Sequence, residues 1–125
     1  MKKSRPALCL PPGVTKAQLQ KLLPEAVLAA MPDYPPFYQR VWLACALIPK
    51  GETRTYGRIA AAAGNPRAAR AAGAALKRNP FAPAVPCHRV IRQSGEPGGY
   101  SAPGGPAKKI ALLAAERAAK ISKES

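Results

Sequence analysis

The sequence predicts one mainly α-helical domain with a short β element. Three observations support this prediction. Apolar residues recur at helical spacing in several segments, proline and glycine separate those segments, and residues that cap helices stand at their starts. The length of 125 residues suits a single domain with one modest core.

The first predicted helix begins at Thr15 and ends near Ala30, after an irregular arm over residues 1–14. Thr15 and Gln18 form a capping-box pattern. Apolar side chains then fall on one side, and prolines from position 32 onward end the helix. A second helix is predicted over residues 37–47, with four candidate core side chains: Phe37, Val41, Trp42 and Leu43.

Two further helices are predicted close together. Thr55 can cap a helix that runs through Ala63, and Gly64 can end that helix in a left-handed conformation. Asn65 can then cap a helix over Pro66–Arg78. Two helices joined by such a turn form a helix-turn-helix pattern, which is typical of DNA-binding proteins. The pattern alone is only moderately specific, since most alanine-rich helix pairs bind nothing.

The second helix of this pair has little side-chain bulk. Alanine and glycine fill most of positions 68–75, while Arg67, Arg70, Lys77 and Arg78 add positive charge. High helix propensity and tight helix packing can explain this composition. The alternative is a thin helix that presses its backbone into a DNA groove while arginines contact phosphates or bases. Gly73 favours the second interpretation slightly, because glycine costs about 1 kcal/mol in a helix interior.

The rest of the chain alternates extended segments with loops. Residues 80–86 are interrupted by prolines, and residues 87–91 are expected to begin as a buried turn and continue as a short strand. A loop rich in glycine, proline and serine follows at 98–106. The last helix is predicted over residues 106–121.

The charge of the chain favours a polyanionic partner. Lys and Arg number 20 against 6 Asp and Glu, a formal net charge of +14. Nucleic acid is favoured over a membrane surface, because no segment resembles an amphipathic helix rich in Trp, Phe or Leu. No signal peptide is visible, and no apolar stretch approaches the roughly 20 residues that span a bilayer. A cytoplasmic location is therefore expected.

Cys87 is the candidate nucleophile, with His88 and Arg89 directly after it. A free thiol has a pKa of about 8.5 and needs a base or nearby cations to react at neutral pH. The residues alone leave another interpretation open, since a lone cysteine is most often a small buried hydrophobic residue. Cys9, Cys45 and Cys87 are expected as free thiols, and no spacing predicts a metal site or a cofactor.

The segment Pro86-Cys87-His88-Arg89-Val90 resembles the active-site signature of the O6-alkylguanine-DNA alkyltransferases, the methylated-DNA–protein-cysteine methyltransferases. Further motifs occur in the family's order over roughly residues 35–118: Ile48 to Thr53, Thr55-Tyr56-Gly57, Gly64 to Gly73, Asn79-Pro80 and Gly98-Gly99-Tyr100-Ser101. The resemblance implies a winged helix-turn-helix-like alkyltransferase domain, mainly α with a short β hairpin. That domain would occupy residues 35–121, between an N-terminal arm and helix (1–34) and a tail (122–125).

The resemblance also implies a reaction and a set of site residues. The domain would enter the minor groove of double-stranded DNA, flip out O6-alkylguanine and move the alkyl group irreversibly to Cys87. His88 would act as the base through a bound water, Glu116 would orient His88, and Asn79 would brace the active-site turn. Substrate and DNA contacts are implied for eight residues, with Arg70 filling the gap left by the flipped base: Tyr56, Ala69, Arg70, Ala71, Gly73, Val90, Tyr100 and Ser101.

Two departures from the family pattern keep a second function open. Only about 35 residues precede the resemblance, and Ala102-Pro103 separates Tyr100-Ser101 from Gly104-Gly105. Short relatives called alkyltransferase-like proteins bind the same lesion without a cysteine and signal to excision repair. A plain DNA-binding regulator is a third possibility, which leaves Tyr56, Cys87 and Tyr100 without a role. The retained Cys87 favours alkyl transfer over lesion sensing. The protein is expected to act as a monomer at the nucleoid, and an excision-repair partner is expected only for a sensor.

Overall fold

Helices supply most of the structure, which is a computed structural model that describes residues 7–81, 84–92 and 109–117. The helices in chain order are α1 (Lys16–Gln20), α2 (Glu25–Ala30), α3 (Pro36–Ala46), α4 (Tyr56–Ala62), α5 (Ala69–Lys77) and α6 (109–117). Short 3-10 turns occupy Met31–Asp33 and Cys87–Arg89, and two strands, β1 (Arg54–Thr55) and β2 (Val90–Ile91), complete the described elements. The prediction of a mainly α fold is confirmed. No helix within the described ranges has the length and apolar character to cross a membrane.

Pro24 divides the first predicted helix into α1 and α2. Thr15 forms the expected capping box, since its side chain accepts from the Gln18 N–H and the Gln18 side chain accepts from the Thr15 N–H. The single helix expected over 15–30 is nevertheless wrong. Proline has no N–H to continue a helical ladder and its ring clashes with the preceding turn, so α1 ends at Gln20 and α2 begins after Pro24.

Helix α3 lies at the centre of the core and supports α5. Trp42 is fully buried, and its indole Nε1 donates to the carbonyl oxygen of Ala75 in α5 at 2.8 Å. Tyr34, Tyr38 and Phe81 surround the indole in edge-to-face geometry with ring centroids 5.0–5.7 Å away. The hydrogen bond from Trp42 to Ala75 thus joins α3 to α5, and the aromatic rings pack around the indole that makes it.

The α4–turn–α5 unit confirms the helix pair but moves the start of its second helix. Thr55 caps α4 through its side-chain oxygen, which accepts from the Arg58 N–H at 3.2 Å. Gly64 adopts φ +99°, and its N–H and that of Asn65 bond back to carbonyls of α4. The predicted Asn65 cap is wrong. Residues 65–68 form a turn closed by the Ala68 N–H on the Asn65 carbonyl at 3.0 Å, and α5 begins only at Ala69.

The β structure is a parallel pair, in which Arg54 lies opposite Val90 and Thr55 opposite Ile91. As predicted, the segment from Cys87 begins as a buried turn and continues as a strand. No hairpin occurs among the described residues. The strands β1 and β2 come from distant parts of the chain with α4 and α5 between them, and a tight hairpin cannot join parallel strands. The loop at 98–106 lies outside the described residues.

The segment before α3 is part of the same core as the rest of the domain. Leu19, Leu23, Leu28 and Met31 are buried in one cluster with the side chains of α3. Gln39 of α3 is 2% exposed and links the two parts. Its Oε1 accepts from the Cys9 N–H at 3.0 Å, and its Nε2 donates to the Tyr34 carbonyl at 2.7 Å.

Candidate active site

Cys87 begins the buried 3-10 turn and is only 4% exposed. Its N–H donates to the Val85 carbonyl at 2.9 Å, and its own carbonyl accepts from the Val90 N–H. Asn79 lies just after α5 and holds the segment before this turn. Its Nδ2 donates to the Val85 carbonyl at 3.0 Å, while its Oδ1 accepts from the Phe81 N–H at 2.8 Å. Asn79 therefore connects the end of α5 to the turn that carries Cys87.

Burial raises the pKa of the Cys87 thiol above its ordinary value. A hydrogen bond from Asn79 and the positive charge of Lys109 act in the opposite direction without reversing the shift of this pKa. The thiol is therefore protonated at neutral pH in the protein without DNA. Since the thiolate is the nucleophilic form, a reaction at Cys87 requires a group that accepts its proton.

His88 follows Cys87 directly in the chain, and the structure places Glu116 beside its imidazole. His88 Nε2 lies 3.0 Å from Glu116 Oε1, although the two residues are 28 positions apart. Burial lowers the pKa of His88, and the effect of Glu116, which raises this pKa, does not cancel the shift. The imidazole is therefore neutral at neutral pH. Because the ionised Glu116 faces Nε2, the hydrogen is assigned to Nε2, and Nδ1 is the nitrogen that can accept a proton.

Glu116 is held in its ionised form from two sides. Burial alone would raise the pKa of its carboxyl group, but hydrogen bonds from Arg89 and His88 outweigh burial and lower it. Glu116 is 8% exposed, and α6 carries it to the turn that contains His88 and Arg89. The arrangement brings together a buried thiol, a neutral imidazole and an ionised carboxylate in contact with that imidazole.

Lys109 is a member of the site that the sequence analysis missed. It is fully buried, and its Nζ lies 3.4 Å from the Tyr56 hydroxyl and 5.7 Å from the Tyr56 ring centroid. Burial lowers the pKa of Lys109 to about 8. One signal in the sequence could have identified Lys109: it precedes Glu116 by seven residues, which places both on one face of a helix.

A cleft beside α5 is lined by four of the eight residues predicted to contact substrate or DNA. It has a volume of about 650 Å³ and is lined by Tyr56, Ala69, Arg70, Gly73 and Arg92. A Cβ atom on Gly73 would lie 3.7 Å from the Tyr56 ring, so the glycine leaves space at this wall. Arg92, which the sequence analysis did not select, adds a second arginine to the cleft.

The remaining predicted site residues are placed as follows. Ala71 is exposed on α5, and Val90 is fully buried in β2. Tyr100 and Ser101 lie outside the described residues. Tyr56 lines the cleft, and the Lys109 ammonium contacts the Tyr56 hydroxyl. The charge of Lys109 also lowers the pKa of Cys87, so Tyr56 and Lys109 connect the cleft to Cys87.

Cys45 lies in α3, fully buried, behind this site. Burial raises the pKa of its thiol well above the ordinary value, and the neighbouring Cys87 raises it further. Cys45 is therefore a neutral core thiol at working pH, and Cys9, Cys45 and Cys87 are all free cysteines. The ranges that the structure describes contain no group of three or more His, Cys, Asp or Glu side chains arranged to hold a metal ion.

Comparison with known proteins identifies the family of this domain. Residues 36–118 match the family described as 6-O-methylguanine DNA methyltransferase, DNA binding domain. A methylated-DNA–protein-cysteine methyltransferase of Mycobacterium leprae is 56% identical over 81 residues, which are 65% of this chain and 48% of that relative. The chain thus spans about half the length of the curated relatives that it matches.

Solved structures agree with this similarity. Mycobacterium tuberculosis OGT in complex with DNA is 53% identical with a TM-score of 0.65, over 68% of this chain and 52% of that one. Schizosaccharomyces pombe Atl1, in complex with damaged DNA containing O6-carboxymethylguanine, is 36% identical with a TM-score of 0.57. That match covers 64% of this chain and 74% of Atl1. The family predicted from the sequence motifs is confirmed: the chain belongs to the 6-O-methylguanine DNA methyltransferase family, of which it carries the DNA-binding domain.

Proposed function

We propose that this chain repairs O6-alkylguanine in double-stranded DNA by transferring the alkyl group to the sulfur of Cys87. The observation that carries the proposal is the contact between His88 and Glu116 in the turn that holds Cys87. A DNA-binding domain needs no buried thiol beside a neutral imidazole and an ionised carboxylate. Methylated-DNA–protein-cysteine methyltransferases similar to this chain over about half of their length support the same reaction.

The proposed transfer is a displacement at the alkyl carbon. The bond between sulfur and this carbon forms while the bond between the carbon and guanine O6 breaks. The Cys87 proton passes to His88 through a bridging water, and the departing guanine takes a proton from solvent, so it leaves as a neutral base. The His88 imidazolium returns its proton to solvent after the transfer, so the protons balance. Glu116 stabilises the imidazolium that forms. The product is a thioether, whose sulfur is a poor leaving group, so each molecule reacts once.

The cleft is the proposed entry for the lesion. Flipping the base is required because a stacked guanine keeps its O6 substituent out of reach of a protein pocket. Arg70, at the start of α5, would occupy the space that the base leaves in the duplex. Tyr56 and Gly73 would admit the guanine beside the helix, and Tyr100 with Ser101 would close the pocket. Val90 and Cys87 would contact the guanine through their carbonyls, while Ala69 and Ala71 keep α5 thin.

The site of action follows from this substrate. We propose that the protein works as a monomer on the minor groove of chromosomal DNA, in the cytoplasm at the nucleoid. Phosphate contacts from the basic surface would make its affinity fall as salt rises, because neutralised phosphates release counterions. This salt dependence is common to every DNA-binding alternative and does not identify the reaction.

The intact mass of the protein after exposure to damaged DNA tests the proposal. The full chain is incubated with a duplex that contains one O6-methylguanine, and with a matched duplex that contains guanine. The expected result is a mass gain of one methyl group per chain, at most one, with the first duplex only. Cys45→Ala should gain the same mass, because Cys45 lies in the core, whereas Cys87→Ala should gain none.

The same experiment separates repair from lesion sensing. The match covers 74% of the length of Atl1 but only about half of the length of the methyltransferases. This difference in coverage is the observation that favours a sensor. A sensor would bind the O6-methylguanine duplex tightly, keep its mass and retain its biological effect in Cys87→Ala. Tight lesion binding with unchanged mass would reject alkyl transfer and establish the sensor instead.

A further inference from the structure

Arg89 belongs to the pentapeptide that carries the family resemblance, yet neither the sequence motifs nor the proposed transfer gives it a role. Its guanidinium makes three hydrogen bonds to two other elements. Nε donates to Glu116 Oε1 at 2.9 Å, and Nη2 donates to Glu116 Oε2 at 2.6 Å. Nη1 donates to the carbonyl of Ile48, just beyond α3, at 2.8 Å. Arg89 thus joins the turn of Cys87, helix α6 and the end of α3.

We propose that Arg89 is a positioning residue for the transfer to Cys87: it holds the Glu116 carboxylate so that one oxygen faces His88. The inference rests on the proposed function, because it concerns how the base of that reaction is oriented. Both oxygens of the carboxylate are bound by the planar fork of the guanidinium. The carboxylate therefore cannot rotate, and Oε1 stays between Arg89 Nε at 2.9 Å and His88 Nε2 at 3.0 Å.

The bond to Ile48 fixes the guanidinium itself. An arginine that bound only Glu116 could move together with that side chain, and the pair would not define a position relative to the core. The Ile48 carbonyl is part of the backbone beyond α3, and Ile48 is 3% exposed. Only a guanidinium can bind a carboxylate with two nitrogens and still donate to a carbonyl with the third, so lysine cannot replace it fully.

The positive charge of Arg89 also acts on the pKa of His88. The charged groups that act on His88 are Glu116 and Lys109 from α6 and Arg89 from its own turn. Cys87 in the same turn and Cys45 in α3 add only neutral thiols. Burial lowers the pKa of His88, Glu116 raises it, and the positive charges of Arg89 and Lys109 lower it again. Without Arg89, His88 would hold a proton more tightly and would be a base less often at neutral pH.

Nuclear magnetic resonance of the imidazole tests the proposal, because His88 is the only histidine in the chain. The full chain is titrated as wild type, Arg89→Met and Arg89→Lys. Arg54→Met is the matched control, since Arg54 forms an ion pair with Glu52 at 3.3 Å outside the site. The His88 midpoint should shift upward in Arg89→Met, shift less in Arg89→Lys, and stay unchanged in Arg54→Met. An unchanged midpoint in a folded Arg89→Met protein would overturn the proposal.

The pH dependence of the transfer rate provides a second measurement. A purely structural role of Arg89 would leave the shape of this dependence unchanged. At saturating DNA, Arg89→Met should be slowest relative to wild type at low pH, and the difference should narrow as pH rises. Loss of the Glu116 partner will destabilise Arg89→Met; if that variant does not fold, Arg89→Lys decides. Arg89→Lys should transfer more slowly than wild type with unchanged DNA affinity, and wild-type behaviour in both rate and titration would overturn the proposal.

Failure of the inference and failure of the proposed function give different results. The titration of His88 needs neither DNA nor alkyl transfer. A wild-type protein that gains no methyl group would reject the proposed function, while the midpoints of the Arg89 variants would still decide whether Arg89 sets the environment of His88. A methylated wild type with identical midpoints in all variants would keep the function and reject the inference.

Discussion

The Cys87 thiol and the His88 imidazole both lie in the protein interior, and burial has opposite consequences for their charge. Burial favours the neutral form of each group, so it raises the pKa of Cys87 and lowers the pKa of His88. The resting site therefore contains a protonated nucleophile and an unprotonated base. The thiolate forms only as the proton is transferred, which makes His88 necessary for the proposed reaction.

Replacing the base should slow the transfer without weakening DNA binding. General-base catalysis typically contributes a factor of about 10² to 10⁴, and His88→Gln should lose roughly that much in single-turnover rate. The rate is measured by the mass of the protein at timed intervals under saturating lesion DNA, and affinity by fluorescence anisotropy. His88→Gln that transfers at the wild-type rate would show that another group accepts the proton.

Lys109 should increase the reactivity of Cys87 only while it is charged. Its ammonium lowers the pKa of Cys87, and burial lowers the pKa of Lys109 itself to about 8. Below that pH, Lys109→Met should react more slowly than wild type with iodoacetamide at Cys87, measured by peptide mass. Above a pH of about 8, Lys109 of the wild type becomes neutral as well. The difference in alkylation rate between wild type and Lys109→Met should therefore narrow.

Lys77→Met is the matched control for Lys109→Met, because Lys77 is an exposed lysine in the last turn of α5. It should leave the alkylation of Cys87 unchanged at every pH. A ratio of the two alkylation rates, wild type to Lys109→Met, that stays constant as the pH passes through 8 would contradict the role of the Lys109 charge.

At the scale of elements, Gly73 keeps α5 thin but makes this helix less stable than alanine would. Gly73 lies within this helix beside Tyr56, and an added Cβ would make only ordinary contact with the Tyr56 ring at 3.7 Å. Gly73→Ala should therefore raise the free energy of unfolding by about 0.5–1 kcal/mol, measured by urea denaturation. The same methyl group narrows the cleft and should weaken binding of O6-methylguanine DNA.

Gly57→Ala separates the two effects of Gly73→Ala. Gly57 lies within α4, and its added Cβ would come no closer than 4.0 Å to the Thr55 hydroxyl. This control should gain similar stability and keep wild-type affinity for lesion DNA. Equal affinity in Gly73→Ala and Gly57→Ala would contradict the placement of the lesion beside α5.

Local signals in the sequence predict some of these elements and miss others. The caps at Thr15 and Thr55 and the left-handed Gly64 depend on neighbours within a few residues, and all three were predicted. Pro24 lies inside the first helical pattern, and the apolar spacing alone does not show that the helix is divided there. The start of α5 at Ala69 and the pairing of β1 with β2 depend on packing between distant segments, which spacing along the chain does not show.

At the scale of the whole molecule, the residues before the family match are part of the same core. Leu19 of α1 is fully buried against the rest of the domain, whereas Leu22, three residues later, is 52% exposed. Leu19→Ala should lower the free energy of unfolding by about 2–5 kcal/mol, as expected for a buried leucine. Leu22→Ala should change it by less than about 0.5 kcal/mol.

Urea denaturation of the full chain checks this matched pair of leucines. Equal stability of Leu19→Ala and Leu22→Ala would contradict a shared core and would make the segment before α3 a separate appendage. The larger loss at Leu19 would show that the described residues before Pro36 contribute to the stability of the DNA-binding domain.

The candidate site was only partly predictable from the residues themselves. Cys87 beside His88 is compatible with an inert core cysteine, and the family motifs, not the local pattern, single out Glu116 and Asn79. The contacts of Lys109 with Tyr56 and of Arg89 with Glu116 join residues 27 or more positions apart. Such contacts depend on the complete fold, so spacing along the chain does not show which of these residues meet.

The most direct test of the account is the mass of the peptide that contains Cys87, after the full chain has reacted with O6-methylguanine duplex DNA. We predict that the methyl group lies on the sulfur of Cys87 and on no other residue, Cys9, Cys45 and His88 included. A methyl group on another residue, or an unmodified Cys87 peptide from protein that binds the lesion tightly, would contradict alkyl transfer to Cys87.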